Sequence, residues 1–189
     1  NFKIINITVE EQPTGEISAG AGTGTSGSTV SFGIRENNYL GSGVKLDTNV
    51  SISDTGLQGI ISIENTNYRN SNKSLNRSIQ ASDIDRMDKF GYKTTKTGFS
   101  FGTSFEQYDD IYFSPSISTY LETLKTSSIA SNAKKKQKGN YFESNFNYGL
   151  TLNRLNQNFQ PSSGYKTSFS QVLPIYADDM SVVNSFNVS

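Results

Sequence analysis

Four short segments of this chain carry residue types that can do chemistry. A glycine-rich loop can cradle a phosphate, clustered aspartates can bind a cation, paired carboxylates can cleave a glycosidic bond, and a lysine run can bind nucleic acid or lipid phosphate. The segments are Gly20–Gly27, the aspartates Asp83, Asp85 and Asp88, the carboxylates Glu106, Asp109 and Asp110, and the lysine run Lys134–Lys138. Each chemistry also requires a particular surrounding structure, which the rest of the sequence must supply.

The glycine-rich and acidic segments lack those surroundings. A phosphate-binding loop needs a following helix, and a P-loop also needs Gly-Lys-Ser/Thr, but neither follows Gly20–Gly27. The three aspartates lack the spacing and the closing Glu of a calcium-binding loop, which favours a polar loop. The three carboxylates fall in a predicted turn. Nucleotide binding, cation binding and glycoside chemistry are therefore disfavoured.

Composition narrows the chemistry further. The 189 residues contain no His and no Cys, which removes the commonest general base, the commonest metal ligand, and every disulfide or thiolate site. Lys and Arg total 17 and so do Asp and Glu, and this zero net charge argues against a nucleic-acid partner. The lysine run is interpreted as a solvated outer loop. We expect no enzyme activity, no catalytic residue, no metal and no cofactor.

Alternation of apolar and polar residues is the dominant pattern. In Tyr141–Asn153, Phe142, Phe146, Tyr148 and Leu150 share one face, and polar residues occupy most of the other. Side chains alternate with period two in a strand, so this segment is strongly two-faced. The pattern recurs in about ten segments: Ile17–Thr25, Val30–Arg35, Val44–Ser53, Leu57–Glu64, Ser74–Ala81, Gly98–Phe105, Tyr112–Leu121, Tyr141–Asn153, Tyr165–Leu173 and Met180–Val188. It predicts an all-β chain without a convincing helix.

Several of these strands are long enough to cross a bilayer, which takes about 9–11 residues. Apolar residues make up only 33% of the chain, and strictly apolar runs reach only three, as at Ile111–Phe113. Transmembrane helices are thereby excluded, but a membrane barrel needs apolar residues only at alternate positions. Short turns should alternate with two longer charged loops, Ser82–Gly91 and Thr126–Asn140, on the outer side. Aromatic residues near strand ends fit either a membrane interface or ordinary use in strands: Tyr39, Tyr68, Tyr108, Tyr141 and Phe159.

Two stretches resemble the BamA family of outer-membrane assembly factors. The first is Ile7–Gly43, with Val-Glu-Glu-Gln-Pro-Thr-Gly, a glycine-alternating strand, and Glu-Asn-Asn-Tyr-Leu-Gly-Ser-Gly. The second is Phe146–Gln171, a strand, a turn carrying Phe-Gln-Pro-Ser-Ser-Gly, and the next strand. The resemblance implies an antiparallel transmembrane β-barrel of about 16 strands, of which about nine to ten would be present. Residues 1–13 would end the last POTRA domain, with Phe2–Glu11 as its final strand, and residues 14–189 would begin the barrel.

The resemblance also implies a function in the outer membrane of a Gram-negative bacterium. The chain would belong to an insertase that folds barrel proteins, with unfolded outer-membrane proteins as clients, further assembly-complex subunits as partners, and outer-membrane lipid around it. Its first barrel strand would template client strands through its backbone at a lateral seam. The residues concerned are Ile17, Ser18, Ala19, Gly20, Ala21, Gly22 and Thr23.

Other functions remain open on the sequence. Related translocation barrels, such as TamA and the two-partner secretion transporters, share the architecture. A long constriction loop or many lumen charges of one sign would favour a passive porin-like barrel, and neither is visible in the sequence. A soluble or cell-surface adhesin sheet would have polar outward faces, whereas Phe99, Phe101 and Phe105 align on one face.

Overall fold

The computed structural model describes residues 10, 12–24, 27–157, 160–177 and 182–188. Within these ranges the chain forms one antiparallel sheet, in which each strand pairs with the next along the sequence. The strands are β1 Gly15–Gly24, β2 Gly27–Tyr39, β3 Val44–Ser53, β4 Gly56–Asn65, β5 Ser74–Arg86, β6 Tyr92–Tyr108, β7 Ile111–Thr126, β8 Gly139–Asn153, β9 Lys166–Tyr176 and β10 Val183–Val188. The all-β fold and the ten strands are confirmed. The predicted strand Phe2–Glu11 and the aromatic Phe159 lie outside the described residues, apart from Glu10.

Alternation gives the sheet one apolar and one polar face, and the register extends each face across the strands. One row of paired residues on the apolar face runs Ile17, Ile34, Thr48, Ile61, Ile79, Phe99 and Thr119. A neighbouring row on the polar face runs Arg35, Asp47, Ser62, Ser78, Ser100 and Ser118. A cavity of about 540 Å³ is lined largely by polar-face side chains, which indicates that the polar face is concave.

The apolar residues form a belt that crosses the rows obliquely. We define the upper row as Ala21, Val30, Ile52, Leu57, Asp83, Thr95, Thr123 and Asn140. This row is apolar on β1–β4 and polar on β5–β8. We define the lower row as Phe105, Phe113, Leu150, Phe169 and Phe186, which is apolar throughout β6–β10. The strands of a barrel are tilted relative to the barrel axis. An apolar belt that keeps a constant height along that axis therefore passes from one row of paired residues to another as it crosses the strands.

The apolar face is left uncovered by the described residues. Ile79 is 62% exposed and Phe99 is 54% exposed, although both lie in the middle of the sheet. Leu124 and Ala130 are the only described apolar residues that are buried. A water-soluble sandwich would bury one face of such a sheet against a second layer. The described chain instead presents the apolar face to its surroundings.

The two longer connections differ from the sequence-based expectation. Of the predicted loop Ser82–Gly91, the first five residues continue β5 to Arg86, and the rest contain a short helix, α1 Met87–Phe90. Of Thr126–Asn140, residues 127–138 form the loop, with a second short helix, α2 Asn132–Lys136. A 3-10 turn, Tyr68–Asn70, follows β4. Among the described residues, none of the helical segments has the length and apolar character to cross a membrane.

The β7–β8 loop folds over the polar face. Tyr92 and Tyr141 belong to that face; the Lys134 Nζ lies 5.2 Å from the centre of the Tyr92 ring, and Tyr141 Oη donates a hydrogen bond to the Gln137 carbonyl. Ser127 N donates to the Gly91 carbonyl at 2.7 Å, which ties the loop to the turn after α1. We call residues 127–138 the cap. The two buried apolar residues of the described chain, Leu124 and Ala130, lie at or beneath it.

Candidate functional site

The predicted templating strand β1 lies at one edge of the sheet. Its register with β2 is continuous from Gly15, opposite Glu36, to Gly24, opposite Gly27. Within the described ranges its other edge has no paired strand. The backbone N–H and C=O groups on that edge are therefore free to pair with another extended segment.

Side chains on the polar side of β1 make few contacts. A Cβ placed on Gly20 would approach only the Ser31 Oγ, at 3.2 Å, and a Cβ on Gly22 would meet nothing within 4 Å. The Ser18 hydroxyl lies over Gly33, where an added Cβ would stand 2.6 Å from its Oγ. Glycine on both strands thus leaves this face of the β1–β2 pair almost without side-chain packing.

The apolar side of β1 has little side-chain packing as well. Ala19 lies opposite Phe32 and Ala21 opposite Val30, so each pair joins a methyl group to a larger side chain. Ile17 is the one large apolar side chain of the strand, and it is 82% exposed. Burial of apolar area stabilises a sheet in proportion to that area, and cross-strand pairs supply much of the rest. Both contributions are small along Ile17–Thr23.

The two ends of β1 are held differently. At the start, the Thr14 hydroxyl donates to the Glu36 carboxylate, and the Thr14 carbonyl accepts from the Asn37 side-chain amide at 3.0 Å. The Glu36 carboxylate also accepts from the Asn38 backbone N–H at 2.8 Å. From Ile17 to Thr23, no side-chain hydrogen bond is formed to any other described residue. The strand is therefore anchored at its beginning and weakly tied along its length.

Pairings further along the sheet are much richer. Ser78 and Ser100 hydroxyls are 2.7 Å apart, and Asn147 Nδ2 donates to Ser118 Oγ at 3.0 Å. The rings of Phe105 and Phe113 pack edge to face, with their centroids 5.8 Å apart. Edge-to-face aromatic pairs are worth about 0.5–1.5 kcal/mol beyond their burial. By this contrast, β1 is held to its neighbour by fewer side-chain contacts than the central strands β5–β8 are.

The other segments singled out from the sequence have structural roles. Gly20–Gly27 spans the end of β1 and the start of β2, so a strand follows where a phosphate site needs a helix. Asp83 and Asp85 approach the Lys93 Nζ at 2.9 and 3.5 Å. Glu106 Oε1 accepts a hydrogen bond from the Asp110 N–H at 2.9 Å and so stabilises the β6–β7 turn.

The lysine run forms the helical part of the cap. Lys135 Nζ donates to the Ser128 carbonyl at 2.6 Å, and Ser131 Oγ caps α2 by accepting from the Lys134 N–H. Lys136 and Lys138 are exposed. No pattern in the sequence predicts that this loop turns toward the polar face, because a helix of five residues is too short to show periodicity.

Comparison with known proteins places this sheet in a family. The profile of the Omp85 superfamily domain matches residues 14–185. The crystal structure of BamA from Haemophilus ducreyi lacking POTRA domains 1–3 has a similar fold, with a TM-score of 0.65, 22% sequence identity and 89% of this chain covered. The match spans 36% of that BamA chain. The ten strands therefore correspond to one section of an antiparallel barrel wall.

Proposed function

Since this chain belongs to the Omp85 superfamily, we propose that it forms the first part of an outer-membrane barrel that inserts and folds other barrel proteins. Residues 14–189 would form barrel wall, and residues 1–13 would end a preceding POTRA domain. The clients would be unfolded outer-membrane proteins, delivered with the help of further assembly subunits. Within the superfamily, the choice is supported by the stretches Ile7–Gly43 and Phe146–Gln171, which resemble the BamA family.

Placement in the membrane follows from the two faces. The apolar belt would meet lipid, and the concave polar face would line the lumen. Only closed barrels and helices satisfy every backbone hydrogen bond in hydrocarbon. The oblique course of the belt supports this placement, because strands of a membrane barrel are tilted by about 35–45°.

The observation that carries the mechanism is the thin packing of the edge strand β1. A seam formed by this strand has few side-chain contacts to break, so it would open more readily than the Phe-rich pairings of β6–β8. An opened edge exposes N–H and C=O groups, and each unsatisfied group costs several kcal/mol in hydrocarbon. A client strand satisfies them by adding itself to the sheet. Pairing through the backbone accommodates many client sequences and needs no ATP.

Cysteine cross-linking in the full-length protein tests the proposal. The 189 residues contain no native Cys, so Ser18→Cys, Gly20→Cys and Gly22→Cys each add one thiol to this segment, in a full-length background from which any other Cys has been removed. Each should form a disulfide with cysteines in the C-terminal strand of a client during assembly, in one fixed register. Asn147→Cys on β8 is the control, because it lies on the polar face away from the edge. Cross-links at Asn147→Cys but not on β1 would refute edge templating.

The same experiment separates the related functions. An insertase leaves the cross-linked client folded in the membrane, and reduction of the disulfide releases it as a separate barrel. A translocation barrel such as TamA or a two-partner secretion transporter would pass its client across the membrane. A passive porin-like barrel would give no cross-link to a client strand at any of the three positions.

A further inference from the structure

Three polar side chains form a continuous row on the apolar face of β8, β9 and β10. Tyr148 lies opposite Gln171, and Gln171 lies opposite Asn184. Apolar residues flank the row on both sides. They are Phe146 and Leu173 in the row above, and Leu150, Phe169 and Phe186 below. A polar row inside an apolar belt is unusual, since intramembrane polar residues are costly and mark interaction sites.

The row is a directed chain of hydrogen bonds. Tyr148 Oη donates to Gln171 Oε1 at 2.9 Å, and Gln171 Nε2 donates to Asn184 Oδ1 at 2.7 Å. The Tyr148 ring is packed among aromatic neighbours, with ring centroids 6.3 Å from Phe113 and 6.2 Å from Phe169. This packing fixes the hydroxyl that starts the chain. Each side chain in the chain thus donates one hydrogen bond to the next.

The chain ends in a donor. The Asn184 amide nitrogen carries two N–H groups, and within the described residues neither has an acceptor. Asn184 lies on β10, whose other edge has no paired strand among the described residues. An amide donor left without an acceptor in hydrocarbon destabilises the folded state, because its hydrogen bonds to water are lost and not replaced.

We propose that the strand pairing with the free edge of β10 carries an amide or hydroxyl acceptor opposite Asn184, so that the polar row continues into it and fixes its register. This inference rests on the placement of the apolar face in lipid. The acceptor belongs to a strand because the row lies between two apolar rows, away from the lipid ester groups at the border of the belt. A slip of one residue turns every side chain to the other face, and a slip of two moves the acceptor away from its position opposite Asn184. A single buried polar contact is a known way of specifying register.

Replacing the whole row tests for the missing acceptor. The variant Tyr148→Phe/Gln171→Leu/Asn184→Leu removes every polar group of the row that this chain contributes. If the neighbouring strand holds an acceptor, that acceptor loses its hydrogen-bond donor in the variant. The midpoint of thermal unfolding of the full barrel in lipid should then fall by about 3 °C or more. If Asn184 has no partner, removal of an unsatisfied amide should leave the midpoint unchanged or raise it, which would overturn the proposal.

Thr48→Val is the matched control. Thr48 lies on the apolar face between Ile34 and Ile61 and has no side-chain hydrogen bond to another described residue. In lipid, this exchange of a hydroxyl for a methyl group should leave the unfolding midpoint unchanged or raise it. A clear fall for Thr48→Val would instead count against the lipid placement itself, so the two failures are distinguishable.

A second measurement needs no destabilised variant. In the unmodified barrel in lipid nanodiscs, the Asn184 side-chain amide should show one proton shifted downfield, as the hydrogen-bonded Gln171 amide does. Asn184→Asp, which lacks the side-chain N–H groups, assigns the resonance. Two upfield protons on Asn184 would show a donor without a partner and would overturn the proposal.

Discussion

Leu150 and Asn147 lie close together on β8 but on opposite faces of the sheet. Leu150 is 42% exposed between Phe113 and Phe169 in the lower row. Arginine at a lipid-facing midplane position costs about 2–4 kcal/mol, whereas a charge in the lumen can be hydrated. We therefore expect Leu150→Arg to impair folding of the full-length protein into bilayers much more than Asn147→Arg does. The folded fraction, measured after refolding into vesicles, provides the comparison.

Equal losses at the two positions would contradict the assignment of faces. Asn147 is half-buried and donates to Ser118 Oγ, so its substitution alone should give a small loss of stability, about 0.5–1.5 kcal/mol for one hydrogen bond. Asn147→Ala separates this contribution from that of the charge. At the scale of single residues, the sequence already predicts which side chains share a face, because alternation depends only on local backbone geometry.

The cap is the element whose position differs most from what the sequence predicts. Strand counting puts it on the outer side of the membrane, and its Lys136 side chain is exposed. Lys136→Cys should therefore be labelled on intact cells by a maleimide reagent that does not cross the outer membrane. Asp109→Cys, in the exposed β6–β7 turn at the opposite end, is the matched control and should be labelled only after permeabilisation. The opposite labelling pattern would invert the topology.

Element boundaries show where sequence reasoning succeeds and where it fails. The alternation of Val44–Ser53 gives the bounds of β3, because apolar residues mark one face along its whole length. The sequence pattern does not predict the extension of β5 to Arg86, because Asp83 and Asp85 replace apolar residues on that face and are instead stabilised by Lys93. Such cross-strand ion pairs depend on register, which a single strand does not reveal.

The candidate site was predictable only in part. The glycines of Ile17–Thr23 are visible in the sequence, and the prediction that they template a client strand stays a prediction. That Gly22 faces empty space while Ser18 lies over Gly33 depends on the pairing of β1 with β2. The polar row was not predicted, because its three members lie on three strands and become a chain of hydrogen bonds only when those strands align.

At the scale of the whole molecule, the tilt of the strands predicts that residues of one row lie at different heights in the membrane. A single residue or a single strand does not predict this difference. Ile52 and Thr123 belong to the same upper row, but Ile52 is part of the apolar belt and Thr123 is not. Ile52 is 51% exposed, whereas Thr123 lies between the polar residues Thr95 and Asn140. If the strands are tilted in the membrane, Thr123 stands above the hydrocarbon and Ile52 within it. Arginine at Ile52 should then impair insertion into bilayers more than Thr123→Arg does, and Thr123→Arg should change the free energy of insertion by only about 0–1 kcal/mol.

Both residues lie in one row and on one face of the sheet, so a difference between the two variants reports a difference in height in the membrane and not a change of face. Folding of both variants into vesicles of lipids with different chain lengths provides a second readout, because a thicker hydrocarbon layer moves its border toward Thr123. The penalty for Thr123→Arg should grow as the lipid chains lengthen, while the penalty for Ile52→Arg stays high throughout. Upright strands would put both residues at one height and give them equal penalties in every lipid. That result would not contradict the register of the strands. It would mean that the oblique course of the apolar belt does not support a tilted barrel wall.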